Sequence, residues 1–411
     1  MPKIKAFKGI HPDQAYAEQV VLQVENLDLD TARNIRNQNP LSYVHMLVPK
    51  LENRFLMGSK TELAFKKINE NFDEFLEKGF FVRDEKPAIY IYRVNHLGFS
   101  QTGIWAVTAI DDYLNNTIKK HELTRAERER GLIDYLQQTG IDANPVLIAY
   151  EINTTLEHII SKAVSEKPVL EVNQPGAAHF LWKIDQEDQL KAITDAFAQM
   201  KSTYIADGHH RAAAASTYGI ECRKLNLKHR GDEEYNFFTS VYMSTEQLRI
   251  FEFHRLVKDI KCSVSEFMDQ LKQVFAVEQL ADVKVFKPQK QHQFGLYIAD
   301  NWYALDLKTK ISSDNPVQSL DVSILQDLVL HKMLKIQDPR TDKRLSFAGG
   351  LTPIEGLVKK VDDGECDALF TLFPTSIQEL IQVADAGEVM PPKSTWFEPK
   401  FLAGLLIHKV N

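Results

Sequence analysis

The sequence at residues 202–218 is Ser-Thr-Tyr-Ile-Ala-Asp-Gly-His-His-Arg-Ala-Ala-Ala-Ala-Ser-Thr-Tyr. Its first half is β-branched and aromatic, which is typical of a short buried strand. Asp207 and Gly208 interrupt that pattern, and the alanine-rich run predicts a helix over residues 211–218, ended by Gly219. A helix that starts at a polar turn presents free N–H groups and its positive dipole end there. We therefore expect an anion-binding site at this turn.

The turn concentrates functional groups, since an acid, two histidines and an arginine fall within five residues. Arg211 carries a forked donor that suits phosphate or carboxylate. We expect Gly208, His210 and Arg211 to bind phosphate, and Asp207 and His209 to take part in the chemistry. The alternative is structural: Asp207 could cap the helix, and one histidine could be a satisfied structural residue.

A second polar cluster lies at residues 118–125, with the sequence Ile-Lys-Lys-His-Glu-Leu-Thr-Arg. His121 and Glu122 supply acid and base candidates, and Lys120 supplies an anion ligand beside them. The alternative is that these charges form the solvated start of the helix that follows.

Composition excludes several classes of protein. The 411 residues include 49 basic and 56 acidic side chains, a net charge of −7, with no extended basic block, which argues against general nucleic-acid binding. Three scattered cysteines, Cys222, Cys262 and Cys366, disfavour a disulfide framework and fit a reducing compartment. The N-terminus lacks the apolar region of a signal peptide, and no apolar run is long enough to cross a membrane. We expect a soluble cytoplasmic protein without a membrane partner.

Strand and helix patterns alternate along the chain and predict an α+β fold of mixed sheets with packed helices. Predicted helices cover residues 28–37, 61–79, 125–139 (opened by a capping box of Thr124 and Glu127), 154–163, 185–200, 263–275 and 320–334. Predicted strands cover residues 43–48, 88–94, 102–110, 144–150, 235–243 and 248–255, with a hairpin over 293–307.

Changes in character along the chain suggest three parts. Residues 1–95 form an N-terminal α/β segment, and residues 96–255 form a central domain that contains both polar motifs. Residues 256–411 form a C-terminal α+β domain that contributes basic loops to the site.

Several common site motifs are absent from the sequence. There is no phosphate-binding loop of the Gly-x-x-x-x-Gly-Lys-Ser/Thr type, no Gly-x-Gly-x-x-Gly fingerprint and no Gly-x-Ser-x-Gly elbow. Zinc is disfavoured because the side chains of adjacent histidines diverge and no i, i+4 histidine pair occurs. Magnesium held by Asp207 or Glu122 through a phosphate fits better, and we predict no metal site made by the protein alone.

Basic residues cluster in C-terminal loops, and Arg340, Arg344 and Lys393 among them could hold a phosphate or a carboxylate. Nearby prolines and Trp396 indicate ordered loops, which often carry function. Ordinary loop surface is the alternative.

The chain closely resembles the uncharacterised bacterial family known as domain of unknown function 1015, from Lys3 to His408. The resemblance lies in five segments: residues 118–124, 204–211, 319–322, 338–342 and 390–400. The family itself implies little about function.

The turn also resembles the phosphate-binding motif of the ParB/sulfiredoxin superfamily, which includes a free-serine kinase. This resemblance implies a ParB/sulfiredoxin-like core with large N- and C-terminal elaborations. It also implies that residues 208–211 bind nucleotide phosphates and that Glu122 is the base. The spacing from Glu122 to Asp207 is longer than in compact members, which implies inserted strands.

These observations lead us to expect an enzyme of phosphate chemistry, a kinase or a phosphatase, acting on a small hydroxy metabolite such as serine or phosphoserine. ATP or ADP with magnesium would be the cofactor, and His121 or His209 could act as acid or nucleophile. The alternative is a non-catalytic regulatory protein that binds a nucleotide or metabolite. The oligomeric state is left open.

Overall fold

The computed structural model describes residues 1–24, 27–47, 59–309, 311 and 314–411. By its internal contacts the chain forms two compact units. The first joins Met1–Leu248 to Pro399–Asn411, and the second is Arg249–Glu398.

The strands lie at the following positions: β1 Ile4–Lys5, β2 Ile10–Pro12, β3 Leu22–Gln23, β4 Phe81–Arg83, β5 Ile89–His96, β6 Phe99–Ala109, β7 Ile118–Lys119, β8 Ile141–Asp142, β9 Val146–Tyr150, β10 Leu170–Gln174, β11 Ala177–Ile184, β12 Thr203–Asp207, β13 Phe237–Ser244, β14 Arg249–Phe251, β15 Phe253–Val257, β16 Phe275–Leu280, β17 Gln293–Ile298, β18 Asn301–Leu307, β19 Leu345–Gly349, β20 Ala368–Leu372, β21 Trp396–Glu398, β22 Leu402–Ala403 and β23 His408–Lys409.

The helices lie at the following positions: α1 Ala17–Val20, α2 Leu29–Gln38, α3 Val44–Leu47, α4 Ser59–Glu77, α5 Ile110–Leu114, α6 Ala126–Thr139, α7 Thr154–Val164, α8 Glu187–Ala198, α9 His209–Leu225, α10 Val264–Val274, α11 Asp321–Ile324, α12 Ile354–Asp362 and α13 Ile377–Asp385. A 3₁₀ turn covers Glu234–Asn236, and a π-helix covers Leu325–His331.

The first unit is built on a nine-stranded sheet in the order β10-β11-β5-β6-β13-β9-β12-β7, with β1 paired to β6. Most neighbours are antiparallel, while β9 with β13 and β7 with β12 are parallel. Ile91, Ile148 and Ile205 of the sheet are fully buried in one core with Phe197 of α8 and Ala212 of α9. This mixed sheet with helices packed against it confirms the predicted α+β class.

The predicted boundary at residue 95 falls inside a hairpin of this sheet. Strands β5 and β6 form antiparallel pairs from Tyr90 with Trp105 to His96 with Phe99. Segments 1–95 and 96–255 therefore both supply strands to one sheet.

Helix α9 is longer than predicted, because it runs through Gly219 to Leu225. A Cβ atom on Gly219 would lie 2.4 Å from the Ile110 side chain and 2.5 Å from the Tyr235 carbonyl oxygen. The glycine therefore permits close packing of the helix and does not end it. The alanines of α9 serve the same purpose, since Ala212 and Ala214 are fully buried.

Three local predictions are wrong. Residues 44–47 form helix α3 where a strand was predicted over 43–48, of which residue 48 lies outside the described residues. The N-cap of α6 is Arg125 without a side-chain cap, so the predicted capping box is not formed. The helix predicted over residues 320–334 is split between α11 and the π-helix. These details depend on tertiary packing, which outweighs weak local preferences.

The second unit is organised around an antiparallel six-stranded sheet in the order β16-β18-β17-β20-β15-β19. The predicted hairpin is β17–β18, with positive φ angles at Ala299 and Asp300 in its turn. The Gly349-Gly350 pair is structural, since Cβ atoms there would lie 2.0 Å from the Trp396 ring and 2.1 Å from Phe251.

Among the described residues, no helix combines the length and the apolar character that crossing a membrane requires.

Candidate active site

The two polar motifs of the first unit are brought together by strand pairing. Strands β7 and β12 are parallel neighbours, with Ile118 opposite Thr203 and Lys119 opposite Tyr204. The residues that follow each strand therefore emerge at the same edge of the sheet. The segment 120–122 follows β7, and Asp207, Gly208 and α9 continue from β12.

Gly208 makes the turn between β12 and α9. It is the N-cap residue, with φ of 100° and ψ of 25°, a left-handed conformation that favours glycine. A Cβ atom at this position would lie 2.9 Å from the Arg211 guanidinium. The backbone N–H groups of Arg211 and Ala212 donate to the Gly208 carbonyl oxygen, at 2.9 and 3.0 Å, which closes the first turn. The N–H groups at the very start of α9 have no acceptor within the helix and point towards the turn.

Arg211 is held by several acceptors. Its Nη1 donates to the Asn144 Oδ1 at 2.6 Å and to the Pro145 carbonyl oxygen, and its Nη2 donates to the Asp207 Oδ2 at 2.7 Å. The guanidinium is thus fixed beside Gly208. Asn144 and Pro145 were not predicted as partners of Arg211, because an Asn-Pro dipeptide indicates a turn and carries no signal of a contact with α9.

Asp207 does not cap α9 but pairs with Arg211. Partial burial would raise the pKa of this carboxyl, but the positive charges of Lys400 and Arg211 outweigh burial and hold that pKa below its ordinary value. The Asp207 side chain is 44% exposed and ionised at neutral pH. Lys400, one of the basic C-terminal residues, therefore contributes its charge here.

His209 and His121 form a buried pair. Their rings meet edge to face, with centroids 4.4 Å apart, and each residue is 3% exposed. The backbone N–H of His121 donates to His209 Nε2 at 3.4 Å. Burial and the neighbouring His121, His210 and Arg211 hold the pKa of His209 well below its ordinary value, and burial lowers the pKa of His121 to about 4. Both rings are neutral at pH 7.

Glu122 faces the other side of the His209 ring. Its Oε2 lies 3.6 Å from His209 Nδ1, and its side chain is 50% exposed. Because Nε2 of the neutral ring accepts from His121, the ring proton is on Nδ1, towards Glu122. The carboxylate is thus placed at the N-terminal end of α9 and remains open to solvent.

Two further predicted ligands make contacts of their own. His210 Nε2 accepts from the backbone N–H of Arg125 at 3.0 Å, and burial with the nearby Arg128 lowers its pKa. Lys120 Nζ donates to the Tyr113 carbonyl oxygen at 3.1 Å and lies 4.2 Å from the centre of the Tyr113 ring. Burial lowers the pKa of Lys120.

The other basic candidates belong to the second unit. Arg344 forms an ion pair with Asp342 at 2.8 Å, and the backbone N–H of Arg340 donates to Asp338. Lys393 has a φ of 59°, and its Nζ lies 5.1 Å from the centre of the Phe253 ring. That these residues share a site with α9 stays a prediction.

Within the described ranges, no group of three or more histidine, cysteine, aspartate or glutamate side chains is arranged to hold a metal ion. At this site, Asp207 is engaged by Arg211. The Glu122 carboxylate offers the kind of oxygen donor that accompanies a phosphate-bound magnesium ion.

Comparison with known proteins identifies the family. The chain matches the family described as "Protein of unknown function (DUF1015)" over residues 4–323 and belongs to it. The resembling segments 338–342 and 390–400 lie outside that match. No curated protein is significantly similar in sequence.

Several solved structures resemble this one. A free serine kinase in complex with AMP has a TM-score of 0.37 and 15% identity, covering 75% of this chain and 91% of that chain. A conserved hypothetical protein from Pyrococcus furiosus has a TM-score of 0.36 and 16% identity, and the match covers 75% of this chain and 95% of that chain. SbnI with a C-terminal truncation, from Staphylococcus aureus, has a TM-score of 0.36 and 14% identity, and the match covers 73% of this chain and 85% of that chain.

Proposed function

We propose that this member of the DUF1015 family is an enzyme that transfers a phosphoryl group to or from the hydroxyl of a small metabolite. One observation carries the proposal: the half-exposed Glu122 carboxylate lies 3.6 Å from His209, at the N-terminal end of α9. A general base and an anion-binding helix end thus occupy the same place, which is what transfer of a phosphoryl group between oxygens requires.

The phosphate would sit on the turn at Gly208. The glycine has no side chain to block the approach, and the first N–H groups of α9 with the helix dipole favour a doubly charged oxyanion. Arg211 adds a fixed positive charge, because three of its hydrogen bonds hold it beside the turn. Hydrogen-bond donors that are already in position stabilise the charge that develops on the transferring phosphoryl group, and they do not have to rearrange during the reaction.

The proton balance then follows. As the metabolite oxygen attacks phosphorus and forms the new O–P bond, its proton passes to Glu122. The bond from phosphorus to the leaving oxygen breaks, and that oxygen departs with the electron pair. With water as the attacking group, the same arrangement hydrolyses a phosphate ester.

His209 has a positioning role in this scheme. It is 3% exposed and neutral, and its Nδ1 proton faces the base. An imidazole locked between the His121 backbone and Glu122 orients the carboxylate without neutralising it. The roles first expected for His121 and His209 as acid or nucleophile are less well supported, since both rings are buried.

We propose a hydroxy amino acid such as serine, or its phosphate ester, as the substrate, with ATP or ADP and magnesium as the phosphate source. The resemblance of the Asp-Gly-His-His-Arg turn to that of free-serine kinase supports this choice. Magnesium would neutralise phosphate charge when bound. Lys120, Arg340, Arg344 and Lys393 remain proposed ligands of the substrate anion.

The test begins with a ligand screen. ATP, ADP, pyrophosphate, serine and phosphoserine, each with and without magnesium, are tested for a rise in melting temperature, since a ligand of the native state stabilises it. Phosphorus NMR then detects turnover of the pairs that bind. Glu122→Gln should keep the affinity for pyrophosphate and lower turnover at least 100-fold, the scale of general base catalysis.

The matched control is Glu127→Gln, which removes an exposed carboxylate in the first turn of α6 and should leave turnover unchanged. Full activity in Glu122→Gln would overturn the proposed role of the base. Tight binding without turnover of any pair would instead indicate a regulatory protein.

A further inference from the structure

The first unit contains a cavity of about 230 Å³ beside α9. Its apolar wall comes from α6, α9, β9 and β13, and includes Leu132, Leu136, Val146, Ala214, Ala215 and Phe238. Polar groups lie at its surface, namely Tyr43, Asp142, Asn144 and Arg211. Apolar walls with a few placed polar groups are the usual character of a small-molecule site.

Two polar groups of this cavity, Tyr43 and Asp142, have few hydrogen-bond partners. Tyr43 is 1% exposed, and its hydroxyl makes no well-formed hydrogen bond among the described residues. The Tyr135 hydroxyl is the polar group beside it, and that hydroxyl itself donates to the Met46 carbonyl oxygen at 2.6 Å. The Asp142 carboxylate accepts one hydrogen bond through Oδ2, from the Thr239 backbone at 2.7 Å, and burial raises its pKa to about 6. A hydroxyl and a carboxylate with spare hydrogen-bonding capacity at the wall of a cavity can bind the polar edge of a ligand.

Gly131 is a second notable feature of this cavity. It lies in the middle of α6 at the cavity, is exposed, and a Cβ atom there would meet no atom within 4 Å. Glycine inside a helix costs about 1 kcal/mol relative to alanine. Packing does not require this glycine, and it leaves space at the cavity that a larger side chain would occupy.

Arg211 connects the cavity with the phosphate turn. Its guanidinium lines the cavity and also binds Asp207, next to Gly208. Along α9, Ala214 and Ala215 lie about 7 to 9 Å from His209 at 1.5 Å per residue. A pentose can bridge that distance between a ring and a phosphate.

We propose that this cavity binds the base of a nucleoside phosphate whose phosphates lie on the turn at Gly208. The apolar wall would cover the faces of the ring, while Asp142 and the Tyr43 hydroxyl would bond to its polar edge. The cavity is smaller than the roughly 300–1,000 Å³ of drug-sized sites, which suits a base better than a whole nucleotide. This inference rests on the proposed function for the phosphate end only.

The test separates the two ends of the ligand. Calorimetry measures binding of adenosine and guanosine, which have no phosphate, and of pyrophosphate, which has no base. Gly131→Leu should fill the cavity mouth and weaken nucleoside binding at least tenfold, while pyrophosphate binding stays within twofold. Asp142→Asn keeps an oxygen that can accept the hydrogen bond from the Thr239 backbone, and it should weaken binding of the preferred nucleoside. This second variant tests the proposal even if Gly131→Leu does not fold.

Gly356→Leu is the matched control, because Gly356 is an exposed glycine of α12 whose Cβ would also meet nothing within 4 Å. It should leave all affinities unchanged. Pyrophosphate binding without binding of either nucleoside would overturn this inference and leave the proposed function intact. Nucleoside binding that neither Gly131→Leu nor Asp142→Asn weakens would also overturn it. Nucleoside binding without pyrophosphate binding would support the cavity and contradict the phosphate turn.

Discussion

The Nδ1 atom of His209 lies 3.6 Å from the Oε2 atom of Glu122, while its Nε2 accepts the backbone N–H of His121. The two sides of one buried ring thus face a backbone donor and a carboxylate. This arrangement fixes the proton on Nδ1, which is the less common tautomer of a free histidine.

The first prediction concerns that tautomer. In protein with ¹⁵N-labelled histidine, long-range ¹H–¹⁵N spectra at pH 7 should show His209 neutral and protonated at Nδ1. Glu122→Gln should keep this tautomer, because the His121 N–H that sets it is unchanged. Protonation at Nε2 would contradict the assigned hydrogen bond.

The second prediction concerns stability against pH. The pKa of His121 is about 4 in the folded protein, below the ordinary 6.5, so the unfolded chain binds more protons between these values. The stability that neutral His121 contributes is complete above pH 6.5 and is lost as the pH falls towards 4. The stability of the wild type relative to His121→Gln should therefore drop by about 3 kcal/mol over this range, measured by urea unfolding.

Asp142 has a pKa raised to about 6, so its contribution to the stability rises as the pH falls, opposite to that of His121. The comparison with His121→Gln cancels this contribution, because both proteins contain Asp142. A difference in stability that does not change between pH 7 and pH 4 would show that His121 is not the group responsible.

The third prediction concerns Gly208. Gly208→Ala should destabilise the protein by about 1–2 kcal/mol, because alanine disfavours the left-handed backbone conformation at this position. The contact of the new Cβ with the Arg211 guanidinium, at 2.9 Å, should add to that loss. Gly176→Ala is the control, since Gly176 has a φ of +81° and open space around it. Urea unfolding should show the larger loss at Gly208, and equal losses would mean that Arg211 moves aside freely.

The fourth prediction concerns Gly219. Alanine normally stabilises a helix relative to glycine by about 1 kcal/mol, and Gly356→Ala in α12 should show this gain. Gly219→Ala should instead lower the melting temperature, because its Cβ would lie 2.5 Å from the Tyr235 carbonyl oxygen. A gain at both positions would show that α9 can shift away from Tyr235.

Several predictions made from sequence succeeded because a few neighbouring residues decide the structure there. The strand ending at Asp207 and the hairpin over residues 293–307 follow from residue propensities over a few neighbours. The strand predicted at residues 43–48 was wrong, because a short apolar segment fits either a buried strand or a buried helix. Gly219 was misjudged for a related reason: glycine signals both a helix end and a close contact.

Local sequence determined that a strand meets a helix at Gly208 and that acid, imidazole and guanidinium groups gather there, because turns and helix starts depend on near neighbours. Tertiary structure alone decided which of these groups meet. Parallel pairing of β7 with β12 brings Glu122 to His209, and the segment before β9 reaches Arg211. Such pairing is non-local and is set by the packing of the whole sheet, so no spacing along the chain specifies it.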